Sequence, residues 1–127
     1  MIERPIFTTQ ETPRLPLTLD EITKARFIEL ATTPQGESAI TPVGRALQKH
    51  VARPRGAFAG ATGDAARNTA VGRQYLEAIL NDPLSTVTYA THKVFGKVIK
   101  VRRTDGSGVW FREHGEFIGF LERYTPR

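Results

Sequence analysis

The feature that most constrains this chain is a change of hydrophobic period near residue 84. Before it, segments carry apolar residues at helical spacing. After it, STVTYATH, KVIKVRRT, GVWFRE and EFIGFLER are rich in β-branched and aromatic residues. The last three runs are separated only by Asp105-Gly106-Ser107-Gly108 and Glu113-His114-Gly115-Glu116. Parallel strands need a crossover of about a dozen residues or more, so separators this short fit antiparallel hairpins. The pattern predicts an α+β fold, with helices first and then an antiparallel meander of about four strands.

Residues 1–17 contain Pro5, Pro13 and Pro16 without periodicity and read as an extended arm. Thr18 and Glu21 have the spacing of a capping box. The helix they open is expected to run to about Ala31, with Ile22, Ala25, Ile28 and Ala31 at helical spacing and Phe27 and Leu30 beside them. Residues 1–37 are therefore expected to form an arm and linker helix, and residues 38–127 the body. Thr41-Pro42 opens the next helix, which must end before Pro54. Val43, Leu47 and His50 share one of its faces, with Lys49 and Arg53 on an adjoining one. His50 thus points at the body, and Lys49, Arg53 and Arg55 rim the place it points to. The segment 56-GAFAGATG-63 matches no nucleotide-binding fingerprint and reads as a flexible connector. Asp64 caps a third helix to about Leu80, with a stripe of Val71, Tyr75, Leu76, Ile79 and Leu80, and Asn81-Asp82-Pro83 stops it.

Charge narrows the function. The net charge is +5, unevenly placed: residues 1–37 hold four basic and six acidic side chains, residues 38–127 fourteen and seven. A body with that excess suits a polyanion. No cysteine is present, which excludes disulfides, thiolate catalysis and cysteine zinc sites. No apolar run approaches membrane-span length, and MIERPIFTTQ lacks a signal-peptide core, so nothing here directs export by the usual route. His50, His92 and His114 fit no compact metal motif. The carboxylates are scattered, which weakens a two-metal nuclease, and there is no GxSxG elbow. No cofactor and no metal are expected.

Strand alternation, for a regular meander without a bulge, sorts the sheet. Val87, Tyr89, Ile99, Val101, Val109 and Phe111 fall on the helix side. Thr86, Thr88, Lys100, Arg102, Thr104, Trp110 and Arg112, with His92, fall on the outer side. A tryptophan on the wet side needs a ligand or a cover; a nucleobase or the N-terminal arm would each serve. Histidine and cations without metal suit RNA cleavage, because the ribose 2′-hydroxyl is an internal nucleophile. The protein then moves protons and holds phosphate. On this inventory alone His50 is equally a satisfied core histidine. A non-catalytic nucleic-acid-binding module and a basic protein-interaction domain also stay open.

The ordered set TPVGRALQKHVARPRGAF, ILNDP, STVTY, GKVIKVR, DGSGVWF and GEFIGFLE, across about residues 38–122, resembles the C-terminal toxin domains of bacterial polymorphic and contact-dependent toxins. It is most similar to those assigned to the barnase–EndoU–colicin–RelE ribonuclease fold. The resemblance implies a metal-independent endoribonuclease that damages RNA, often tRNA, in the cytoplasm of a competing bacterium. Delivery would be from a neighbouring cell as part of a larger secreted effector. It also implies neutralisation by a cognate immunity protein, for which the basic body predicts acidic character, with the chain otherwise a monomer. The matching catalytic positions are His50, Arg53 and Arg102. Lys49, Arg55, Thr88, Lys100, Trp110 and Arg112 are the expected substrate contacts. One departure is Trp110, which stands before Phe111 where family members often carry a basic residue; Arg112 or base stacking would substitute.

Overall fold

The computed structural model describes residues 19–36, 39–50 and 56–124. Three helices, α1 (Glu21–Ala31), α2 (Pro42–His50) and α3 (Ala65–Asn81), precede four strands: β1 (Thr86–His92), β2 (Gly96–Arg102), β3 (Gly108–Arg112) and β4 (Phe117–Leu121). The strands form one sheet in the order β1-β2-β3-β4, every pair antiparallel. This is the α+β meander expected from the change of period.

The helix starts follow local chemistry. Asp20, not Thr18, caps α1: its carboxylate accepts from the Thr23 amide at 2.7 Å. Thr18 lies outside the described residues. At α2 the Thr41 hydroxyl accepts from Gly44 N, with Pro42 first in the helix. Asp64 caps α3 by accepting from Ala66 N and Arg67 N.

The buried stripe of α1 also differs from the expected one. Phe27 and Ala31 are buried, whereas Ile22 is 84% exposed and Leu30 and Ala25 face solvent. The spacing 24, 27, 28, 31 is as helical as 22, 25, 28, 31, and the larger Phe27 decides which faces inward. Its ring lies 4.3 Å from that of Phe111 in the sheet, and burying it contributes about 2–3 kcal/mol. In α3, Asn68, Gly72, Leu76, Ile79 and Leu80 form the buried seam, with Val71 and Tyr75 only partly covered. Gly72 is required by the α2–α3 crossing, because a Cβ there would lie 2.9 Å from Val43 Cγ2 and 3.0 Å from Val43 O.

The connector 56–63 is not slack. Phe58 is buried and stacks on Phe120, with ring centres 4.4 Å apart. The Tyr75 hydroxyl donates to Ala59 O and accepts from Ala59 N. Buried Asn68 accepts from Thr62 N and donates to Thr62 O. Gly-rich composition signalled freedom, but Phe58 and the polar clasps remove it.

The meander is not regular. The β3–β4 register shifts between Trp110, opposite Gly119, and Phe111, opposite Phe117. Ile118 is therefore the extra residue of a bulge. It puts Phe117 and Phe120, three apart, on the same buried side, where strict alternation would separate them. The outer face is not wholly wet either: Val98, in register between Ala90 and Arg112, is 2% exposed. Tyr89 shares the inner face through its partner Ile99 but sits on the outermost strand and is exposed.

Candidate active site

Three chain segments meet at the C-terminal end of α2. His50 ends that helix, on the face it shares with Val43 and Leu47. Its ring sits edge-on to Phe58 from the connector and to Phe120 from β4. Just past β4, Glu122 places Oε2 2.5 Å from His50 Nδ1, while its Oε1 accepts from Ala57 N at 2.8 Å. His50 is 6% exposed and the Glu122 side chain 23%. An ionised carboxylate only accepts, so this contact selects the tautomer with hydrogen on Nδ1. Nε2 has no hydrogen-bond partner among the described residues.

The imidazole is not sealed into the core. His50 lines a cleft of about 260 Å³, together with Ala46 and Lys49 of α2, Phe95 of the β1–β2 turn, Trp110 of β3, and Ile118, Gly119 and Phe120 of β4. None of these lining residues is acidic. On the cleft wall, Phe95 and Trp110 form an aromatic cluster with His92, with centroid separations of 5.1–5.4 Å. Lys100 Nζ stands 5.6 Å over the Trp110 ring, and the Arg112 guanidinium 5.1 Å over Phe95. A buried carboxylate-bound histidine, a cation beside it and a partly exposed indole across the opening are groups able, respectively, to move a proton, hold an anion and stack on a flat ring.

The expected site residues are not all together. Lys49, His50 and Trp110 meet at the cleft, and Lys100 and Arg112 flank it through the aromatic rings. Thr88 is paired with Lys100 on the outer face. Arg102 is two residues further along β2, in register with Gly108, where Nη1 donates to Gly106 O and the guanidinium stacks over Tyr124 at 5.1 Å. In the same turn Asp105 accepts from the Ser107 hydroxyl and amide. Those bonds, with Arg123 nearby, hold its carboxyl below the ordinary value of 3.8. Arg53 and Arg55 lie outside the described residues. Sequence reasoning missed Glu122, Phe95 and His92. Glu122 had one legible signal: it stands two residues after Phe120, and so on the inward side of the strand's end.

The family model for the CdiA C-terminal tRNase toxin domain matches residues 29–122. The chain belongs to this family. The match begins inside α1, earlier than the 38–122 over which the motifs show the resemblance. Comparison with curated proteins and with solved structures finds no match. Membership makes this a tRNA-cleaving toxin domain of the CdiA type. No helix among the described residues is long and apolar enough to cross a membrane.

Proposed function

We propose that this toxin domain is a metal-independent endoribonuclease whose reaction centre is the His50–Glu122 pair. Glu122 holds Nδ1 and steadies positive charge on the ring. Nε2 takes the proton of a ribose 2′-hydroxyl. The 2′-oxygen attacks the adjacent phosphorus, the bond to the 5′-oxygen breaks, and that oxygen takes up a proton from water, while Nε2 gives its proton back to the hydroxide so formed. The products are a 2′,3′-cyclic phosphate and a 5′-hydroxyl. Lys49 neutralises phosphate charge beside His50. Lys100 and Arg112 hold the flanking backbone and Trp110 stacks a base. Arg53, three residues after His50, and Arg102 are the further phosphate contacts. An acidic immunity protein covers this basic face in the producing cell. Delivery into the target cell is as part of a larger effector.

The observation that carries the reading is the carboxylate-anchored His50 on the wall of a cleft shared with Lys49 and Trp110. In a plain nucleic-acid-binding module that pair would serve only as a structural clasp between α2, β4 and the connector. The test is digestion of total tRNA by the purified chain in EDTA, with sequencing and chemical typing of the ends. Cyclic-phosphate and 5′-hydroxyl ends are expected, with His50→Ala slower by about 10²–10⁴-fold and still folded. EDTA-sensitive cleavage leaving 5′-phosphates overturns the mechanism and keeps the family assignment. Binding without any cleavage returns the chain to the binding-module reading.

A further inference from the structure

The Trp110 indole is partly exposed for a structural reason. Its neighbour on β4 is Gly119, so the edge strand sends no side chain over it. Gly119 is not held by backbone need, since its φ is outside the left-handed region that the positive-φ glycines occupy. A Cβ there would meet Trp110 Nε1 at an ordinary 3.5 Å. The glycine therefore keeps open a space that a larger side chain could fill without backbone strain.

A second ring bounds that space. Phe95 lies in a three-residue turn between β1 and β2, and its position is over-determined. The His92 Nδ1 accepts from Val94 N at 3.0 Å and from Phe95 N at 3.2 Å. The His92 ring packs against both Phe95 and Trp110. Phe95 and Trp110 meet edge to face at 5.4 Å, and both line the cleft that contains His50. Cations rather than carboxylates accompany the rings: Lys100 over Trp110, Arg112 over Phe95, and Lys49 within the lining.

We infer that Phe95 and Trp110 form a nucleobase slot beside the His50–Glu122 centre, opened by Gly119 and held in place by His92 as a positioning residue. This rests on the RNA-cleaving reading above. The ligand class follows from the wall. Aromatic surfaces take a flat ring irrespective of which base it is. The flanking cations favour a ring that carries phosphate, and they repel a cationic ligand, for which the lining holds no carboxylate. An unpaired nucleotide next to the scissile bond satisfies all three conditions. A base inside a duplex does not, because its faces are already stacked. The slot therefore directs cleavage to loops and single-stranded ends of tRNA.

The test reads binding, not cleavage. The 127-residue chain carrying His50→Ala is titrated into a short single-stranded RNA with 2-aminopurine at its centre, whose fluorescence is quenched on stacking. Quenching on binding is expected. Phe95→Ala and Gly119→Leu, each added to the His50→Ala background, should weaken it about 5- to 150-fold. His92→Ala should weaken it similarly, and His92→Asn should restore it, because an asparagine oxygen can accept the same turn amides. Circular dichroism melts confirm that each variant folds. Binding without quenching, or quenching indifferent to Phe95 and Gly119 in folded variants, overturns the slot. That result leaves the cleavage mechanism standing. Conversely, quenching that survives while the wild-type chain leaves tRNA intact removes the mechanism and keeps the slot.

Discussion

Replacing Glu122 by glutamine separates a catalytic carboxylate from a structural clasp. In the folded protein one oxygen meets His50 Nδ1 at 2.5 Å and the other accepts from Ala57 N at 2.8 Å. Glutamine has the same length but only one accepting atom at its head. With the amide oxygen on His50, the amide NH₂ faces the Ala57 N–H, donor against donor; flipped, the oxygen keeps Ala57 N and the NH₂ donates to Nδ1 once the imidazole carries its hydrogen on Nε2, which removes the base. The first orientation loses one contact; the second keeps both, but as neutral hydrogen bonds and with the wrong tautomer for proton uptake at Nε2. A hydrogen bond involving a charged group contributes about 1.5–3 kcal/mol and a neutral one about 1. Glu122 is partly solvated, so water recovers some of this, and a net loss of about 1–2 kcal/mol is expected. For a domain of this size that lowers Tm by about 4–10 °C. Activity should fall further than stability explains. In serine-protease triads, neutralising the carboxylate behind the histidine lowers kcat about 10⁴-fold. Solvent access to Glu122 reduces its leverage, giving an expected loss of about 10²–10³-fold in kcat with KM little changed. Single-turnover cleavage of tRNA at 20 °C, where the variant is folded, measures this. A variant with the predicted drop in Tm but kcat within about 3-fold of the parent would refute the reasoning and leave Glu122 as a latch for the connector at Ala57.

Other perturbations test the surrounding scaffold. Phe27→Ala removes a buried ring packed at a tilt against Phe111 and should destabilise the whole domain by about 3–5 kcal/mol in urea unfolding; an unchanged midpoint would show that α1 is dispensable to the core. Lys100→Ala should weaken RNA binding across sequences and reduce the slope of log K against log salt by about 1, measured by filter binding over a salt series; an unchanged slope removes Lys100 from the phosphate contacts. Asp105 titrates below the ordinary value of 3.8 because Ser107 donates to its carboxylate. A depressed folded value means its stabilisation is fully present above the unfolded value and is lost as pH falls through the folded one. Asp105→Asn should thus lower stability near neutral pH and flatten its decline below about pH 4. Parallel acid-unfolding curves for parent and variant would contradict that assignment.

Local rules suffice where a residue's role depends on its near neighbours in sequence. The change of period, the stop at Asn81-Asp82-Pro83 and the short hairpin separators determined three helices before a four-stranded antiparallel meander. Helical spacing put His50 on the inward face with Val43 and Leu47, and there it is buried. Alternation put Lys100 and Trp110 on the same outer face, and the register of β2 with β3 makes them partners. Tertiary structure decided what depends on distant segments. The partner of His50 is 72 residues away, and although alternation from Phe120 turns Glu122 inward, no spacing rule pairs it with His50. The bulge at Ile118 is set by packing, because burying both Phe117 and Phe120 requires breaking the two-residue period. In α1, two overlapping helical stripes were available, and only the presence of Phe111 opposite made Phe27 the buried one. The cleft is likewise a property of assembly. It joins α2, the β1–β2 turn, β3 and β4, and it stays open because the residue that meets Trp110 across the strands is a glycine, a coincidence of register that no single segment encodes.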